Sequence, residues 1–194
     1  METQTMQKRD IVTEKKKGLR TADILLIGVL LAAGAVLKFF VGSMFSMGVK
    51  PNFIIAMYCL AILLIKPRLH EALFIGILAG AICQFFPGTP YVNLISEPVG
   101  AIVMALLMYV PFLTIKKFSL KPIVATFIST LASGFTFIFI LYMAFYSGAN
   151  VEPMPVQVFL AIIFGTACVN AAIVQILYVP LKMVLGRDRN VKAQ

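Results

Sequence analysis

The chain has no tryptophan, one histidine and only 8 acidic residues among 194. Each shortage closes off a class of chemistry. The lone histidine, His70, sits in a charged turn with Lys66, Arg68 and Glu71, and it has no second histidine with which to bind a metal or share a proton. The carboxylates within or beside the apolar blocks are Asp23, Glu71, Glu97 and Glu152. They form no converging set of the kind an intramembrane protease or acyl transferase needs. No Walker A pattern occurs, so ATP hydrolysis by this chain itself is not expected. Cys59, Cys83 and Cys168 all fall inside apolar blocks without metal-ligand spacing, and they read as small buried hydrophobes. Neither an enzyme nor a bound cofactor is expected. Intrinsic fluorescence must come from the 6 tyrosines. The polar, charged start of the chain predicts no cleavable signal peptide.

Charge is also scarce. Only 13% of residues are charged and 60% are apolar, against about 25% charged in soluble domains. The apolar residues come in blocks approaching 20 residues, a length that a bilayer requires and a soluble core does not. The net charge of +9 would suit nucleic acid. The basic residues lie instead at the ends of the apolar blocks, where lipid headgroups meet them, so no nucleic-acid partner is expected.

The prediction is an all-α integral membrane protein, a bundle of about six transmembrane helices with both termini in the cytoplasm. A basic cytoplasmic tail covers 1–21, a transmembrane domain 22–185 and a second tail 186–194. The spans are read at 22–41, 51–65, 72–86, 96–115, 122–146 and 156–185. The second and third blocks are short. They fit either a re-entrant hairpin or two spans, and Lys66 and Arg68 between them favour two, because charges are stable only at an aqueous face. Six spans put every Lys and Arg except Lys38 and Lys50 on one side, which the positive-inside rule makes cytoplasmic. Five spans would divide the basic segments between the two sides.

Small residues recur at helical spacing. Gly28, Ala32 and Ala35 make one smooth face on the first span, suited to packing within the bundle or to docking a partner. Ala72, Gly76 and Gly80 do the same on the third, with Gln84 continuing the column. Thr126, Ser129, Thr130, Ser133 and Thr136 form a hydroxyl stripe on the fifth. Such a stripe either bonds back to its own helix or lines a polar interior.

Unusual polar residues gather at the predicted outer side. Lys50 precedes Pro51, a residue suited to a first helical position. It either snorkels to headgroups or, with free backbone N–H groups, meets a carboxylate. Asn52 adds a short polar arm. Ser96 and Glu97 read as the cap and first turn of the fourth span, although either can also meet an ammonium. Asn93 either caps the loop or faces a ligand. Asn170, deep in the sixth span, needs a partner in another helix or in a ligand. Phe39, Phe40, Phe45, Met47, Phe53, Phe85, Phe86 and Tyr91 surround this half, as lipid contacts and core or as a setting for a flat aromatic ligand.

Lys50-Pro51-Asn52, the stretch from Pro90 to Asn93 running into Glu97-Pro98-Val99, and Asn170 followed by Tyr178-Val179-Pro180 resemble the bacterial tryptophan transporter family. That family is placed among the substrate-binding (S) components of energy-coupling factor transporters. The resemblance implies a multi-pass protein of the bacterial cell membrane that captures tryptophan or a related aromatic nutrient. It implies partners too: a transmembrane coupling subunit, docked through Gly28, Ala32 and Ala35, and two ATPase subunits. Lys50 would hold the carboxylate. Asn52, Gln84, Tyr91, Asn93, Glu97 and Asn170 would complete the substrate site. The alternatives are an S component for a water-soluble vitamin or precursor, a stand-alone secondary transporter, and a membrane protein with no transport role.

Overall fold

Six α-helices occupy the six apolar blocks: α1 (Thr21–Met44), α2 (Ile54–Ile65), α3 (Leu69–Cys83), α4 (Asn93–Tyr109), α5 (Lys121–Leu141) and α6 (Val156–Val184). The computed structural model describes residues 18–44, 52–89, 91–110, 114–115, 118–146 and 155–186. A two-residue hairpin, β1 (Thr114–Ile115) with β2 (Phe118–Ser119), joins α4 to α5. One π-helical turn, Tyr142–Tyr146, extends α5.

α1, α5 with its π turn, and α6 are long and apolar enough to cross a membrane. α2, α3 and α4 are apolar but hold only 12, 15 and 17 residues. At about 1.5 Å per residue, α2 falls well short of a hydrocarbon core about 30 Å thick. Its burial explains its composition. Every residue from Ile54 to Leu64 is buried, and α2 touches all five other helices. A helix that is apolar on all sides belongs at the centre of a bundle. α3 packs mainly on α4, not on α2.

The outer surface is also apolar. Leu25, Val29, Phe74, Phe139, Val169 and Ile176 are all exposed, which suits contact with lipid chains. Lipid is as apolar as leucine, so the helices gain cohesion mainly from close packing and polar bonds. Close approach is clearest between α3 and α4. A Cβ on Gly76 would lie 2.5 Å from the Pro98 Cα, and one on Gly80 2.5 Å from the Asn93 carbonyl oxygen. The small-residue face of α1 differs. Gly28 and Ala32 point away from the bundle, and a Cβ on Gly28 would meet nothing within 4 Å. α1 instead buries the stripe Asp23, Ile27, Leu30, Leu31 and Lys38.

Contacts near the helix ends gather the basic segments. The Leu19 N–H donates to Glu71 Oε1 at 3.2 Å, and the Arg68 N–H donates to Glu71 Oε2 at 2.7 Å. Lys121 Nζ donates to the carbonyls of Met108, in the last turn of α4, and of Val110, just past its end. Lys66 lies within electrostatic range of Lys121. The left-handed conformation of Lys66 (φ 52°) ends α2 just before Pro67.

Several boundaries differ from expectation: α2 begins at Ile54, not at 51, and α3 covers Leu69–Cys83, not 72–86. α4 begins at Asn93 and ends at Tyr109, not at 96 and 115. Ser96 and Glu97 therefore lie past the first turn, and the cap reading does not account for them. Cys59 and Cys83 are buried as expected, but Cys168 is exposed on α6. Lys50, with Pro51, Phe45, Met47 and Pro90, lies outside the described residues.

Candidate functional site

A cavity of about 280 Å³ opens among α1, α2, α4, α5 and α6, beneath the loop 87–89. Its lining mixes two kinds of side chain. Lys38, Asn52, Asn93, Ser96, Glu97, Thr130, Ser133 and Thr166 provide the polar lining. Phe137, Ile138, Leu141, Phe159, Ile162 and Ile163 provide the apolar lining, with Tyr146 from the π turn. The volume sits near the low end of the range for small-molecule pockets, about 300–1,000 Å³.

Glu97 is the carboxylate of the polar lining. It is 1% exposed. Its Oε1 accepts from Asn52 Nδ2 at 2.5 Å, and its Oε2 accepts from Ser133 at 3.3 Å. An ionised carboxylate accepts about four hydrogen bonds, so capacity remains for a further donor. Asn52 immediately precedes the first turn of α2 and is held from behind. Its carbonyl accepts from Asn170 Nδ2 at 3.2 Å, and the same amide lies 3.5 Å from Thr130 Oγ1. Asn170 thus joins α6 to the start of α2 and to α5. Its Oδ1 has no partner among the described residues.

The hydroxyl stripe on α5 does both things open to it. Thr130 and Thr136 bond back to the carbonyls of Thr126 and Ala132 at 2.8 Å. Ser129 crosses to the Gly100 carbonyl at 2.8 Å, and Ser133 reaches Glu97. Thr130 and Ser133 also face the cavity.

Of the residues singled out from sequence, Asn52, Asn93 and Glu97 lie on the cavity wall, and Asn170 lies directly behind it. Gln84 and Tyr91 are placed elsewhere. Gln84 Oε1 accepts the Tyr91 N–H at 3.0 Å, and its Nε2 donates to the Gly80 carbonyl at 3.0 Å. That pair pins the loop over the cavity, while the Tyr91 side chain is 70% exposed. The aromatic lining is also not the expected one. Phe39, Phe40 and Phe85 point outward and Phe53 is packed in the core. The rings at the cavity are Phe137, Tyr146 and Phe159. The sequence marks Lys38 only as an outer-side charge, yet it is buried at the cavity. One available signal was its register with Ile27, Leu31 and Gly34, which puts it on the buried stripe of α1.

The family model for the tryptophan transporter TrpP matches residues 20–186. The chain belongs to the tryptophan transporter TrpP family. The match spans all six helices and every cavity residue named above. Searches of curated proteins and of solved structures gave no match. As a TrpP family member the chain is a membrane protein of tryptophan transport, and its family is one of transporters rather than enzymes. The cavity is therefore the place to look for a substrate. A TrpP-family substrate joins a charged amino-acid group to a flat apolar ring, and this cavity is lined by both polar and apolar side chains.

Proposed function

We propose that this chain is the substrate-binding membrane component of a tryptophan uptake system, an energy-coupling factor S component driven by separate ATPase subunits through a transmembrane coupling subunit. The observation that carries the reading is the cavity of about 280 Å³, lined both by polar groups including buried Glu97 and by the rings of Phe137 and Phe159. In this reading Asn52, Asn93, Glu97 and Asn170 form and support the polar end, and Gln84 and Tyr91 hold the covering loop. The cavity faces outward in a bacterial cell membrane, and both termini are cytoplasmic. The contacts that gather Leu19, Glu71, Lys66 and Lys121 toward a shared basic face support that orientation.

The open face of α1 at Gly28 and Ala32 supports docking of the coupling subunit, continued by Ala35. Small residues let two helices approach closely. The absence of a Walker A pattern leaves ATP hydrolysis to other subunits.

The test has two arms. Purified protein titrated with tryptophan in a calorimeter is expected to show saturable heat. No heat and no thermal stabilisation at millimolar ligand would overturn the substrate. Uptake in cells is expected to need the ATPase subunits. Accumulation in ATPase-free vesicles under an ion gradient would make the protein a stand-alone secondary transporter instead.

A further inference from the structure

Lys38 has less company than a buried cation requires. It is 9% exposed. Its ammonium lies 3.3 Å from Cys83 Sγ and 5.3 Å from the Phe86 ring centre. Among the described residues it has no carboxylate within ion-pair distance. An ammonium carries three donors, a thiol accepts only weakly, and a buried charge is costly without a counter-charge. Glu97 lies within electrostatic range of Lys38 but beyond ion-pair distance. Asn52 Nδ2 stands 3.6 Å from Cys83 Sγ and 2.5 Å from Glu97 Oε1. A buried cation and a buried anion thus share one cavity wall, separated by a thiol and an amide. Ser96 lines the same cavity at 1% exposure, and its hydroxyl has no partner among the described residues.

We propose that Lys38, Ser96 and Glu97 form a zwitterion clamp: Lys38 and Ser96 take the α-carboxylate of a free amino acid, and Glu97 takes its α-ammonium. The side chain of that amino acid then lies against Phe137, Ile138, Phe159 and Ile163. The inference rests on the cavity being an amino-acid site, and it assigns the carboxylate to Lys38 rather than Lys50. Lys38 and Glu97 act on each other only at a distance, and a zwitterion gives each a counter-charge in direct contact. An analogue lacking one of them leaves the opposing protein charge buried and unpaired, which is how a site rejects it.

The experiment measures binding of tryptophan, tryptamine (no carboxylate) and indole-3-propionate (no amine) to the full chain in detergent. Wild type is expected to bind both analogues at least about 30-fold more weakly than tryptophan. Lys38→Gln should lose a comparable factor for tryptophan and far less for tryptamine, while Lys38→Arg keeps most tryptophan affinity. Lys50→Gln should not single out the carboxylate. If Lys38→Gln does not fold, Ser96→Ala carries the same comparison, with a smaller loss confined to carboxylate-bearing ligands. The clamp is overturned if wild type binds tryptamine as well as tryptophan, or if these variants weaken both ligands equally or neither. It is equally overturned if Lys50→Gln alone discriminates. Silence of wild type toward all three ligands would instead remove the amino-acid reading itself, and the clamp with it.

Discussion

Asn52 serves two partners at once. Its amide holds Glu97 and its carbonyl is held by Asn170. Removing Asn170 leaves that carbonyl without its side-chain donor. Asn170→Ala is therefore expected to cost about 1–2 kcal/mol of stability, read as a lower unfolding temperature in detergent, and to weaken tryptophan binding as Asn52 drifts. Glu97→Gln asks a different question, because it keeps the shape and an acceptor for Asn52 but deletes the charge. We expect the protein to fold and tryptophan affinity to fall at least about tenfold, the equivalent of 1.4 kcal/mol, in a calorimetric titration. Unchanged affinity would show that the Glu97 charge does not meet the ligand. The importance of Glu97 was visible in sequence, because a carboxylate in an apolar block is conspicuous. Its partners were not. Ser133 is one hydroxyl among five on its helix, and only the rotation of α5 toward α4 selects it.

The packing of α3 on α4 sets where the cavity wall stands. Asn93 is on that wall, and its carbonyl occupies the space that a Cβ on Gly80 would need. Gly80→Ala is expected to push the start of α4 away from α3, at a cost typical of overpacking, about 1–3 kcal/mol. A lower unfolding temperature together with weaker tryptophan binding is the expected result, and the stability loss alone would place the wall elsewhere. The column Ala72, Gly76, Gly80 was legible because small residues at helical spacing mean close approach. The length of α2 was legible too, but its place was not. Nothing local says that a 12-residue apolar helix forms the centre of the bundle. That follows from five other helices surrounding it.

Capture and energisation should be separable in this fold. The cavity lies among α1, α2, α4, α5 and α6, while Gly28 and Ala32 face outward on α1. Gly28→Leu is expected to leave tryptophan binding by the purified chain intact and to abolish uptake in cells that hold the coupling subunit. Intact uptake would move the docking surface off α1. Orientation has its own check. A single cysteine placed at His70 in a cysteine-free background should react with an impermeant maleimide only from the cytoplasmic side. Labelling from outside would invert the bundle.

The six blocks, their polarity and the sidedness of their charges are local or additive properties of the chain. A bilayer selects apolar length directly, and basic residues choose their side segment by segment. For that reason the linear order of residues was enough to predict a helical membrane protein and to place its six helices. The cavity is a different kind of object. Lys38, Asn52, Cys83, Glu97, Ser133 and Asn170 come from every helix or its edge, and only packing brings their side chains within hydrogen-bond reach. Whether a charged residue points to headgroups or inward depends on how its helix is rotated against its neighbours. That rotation is a sum over many weak contacts, and no short window of sequence contains it.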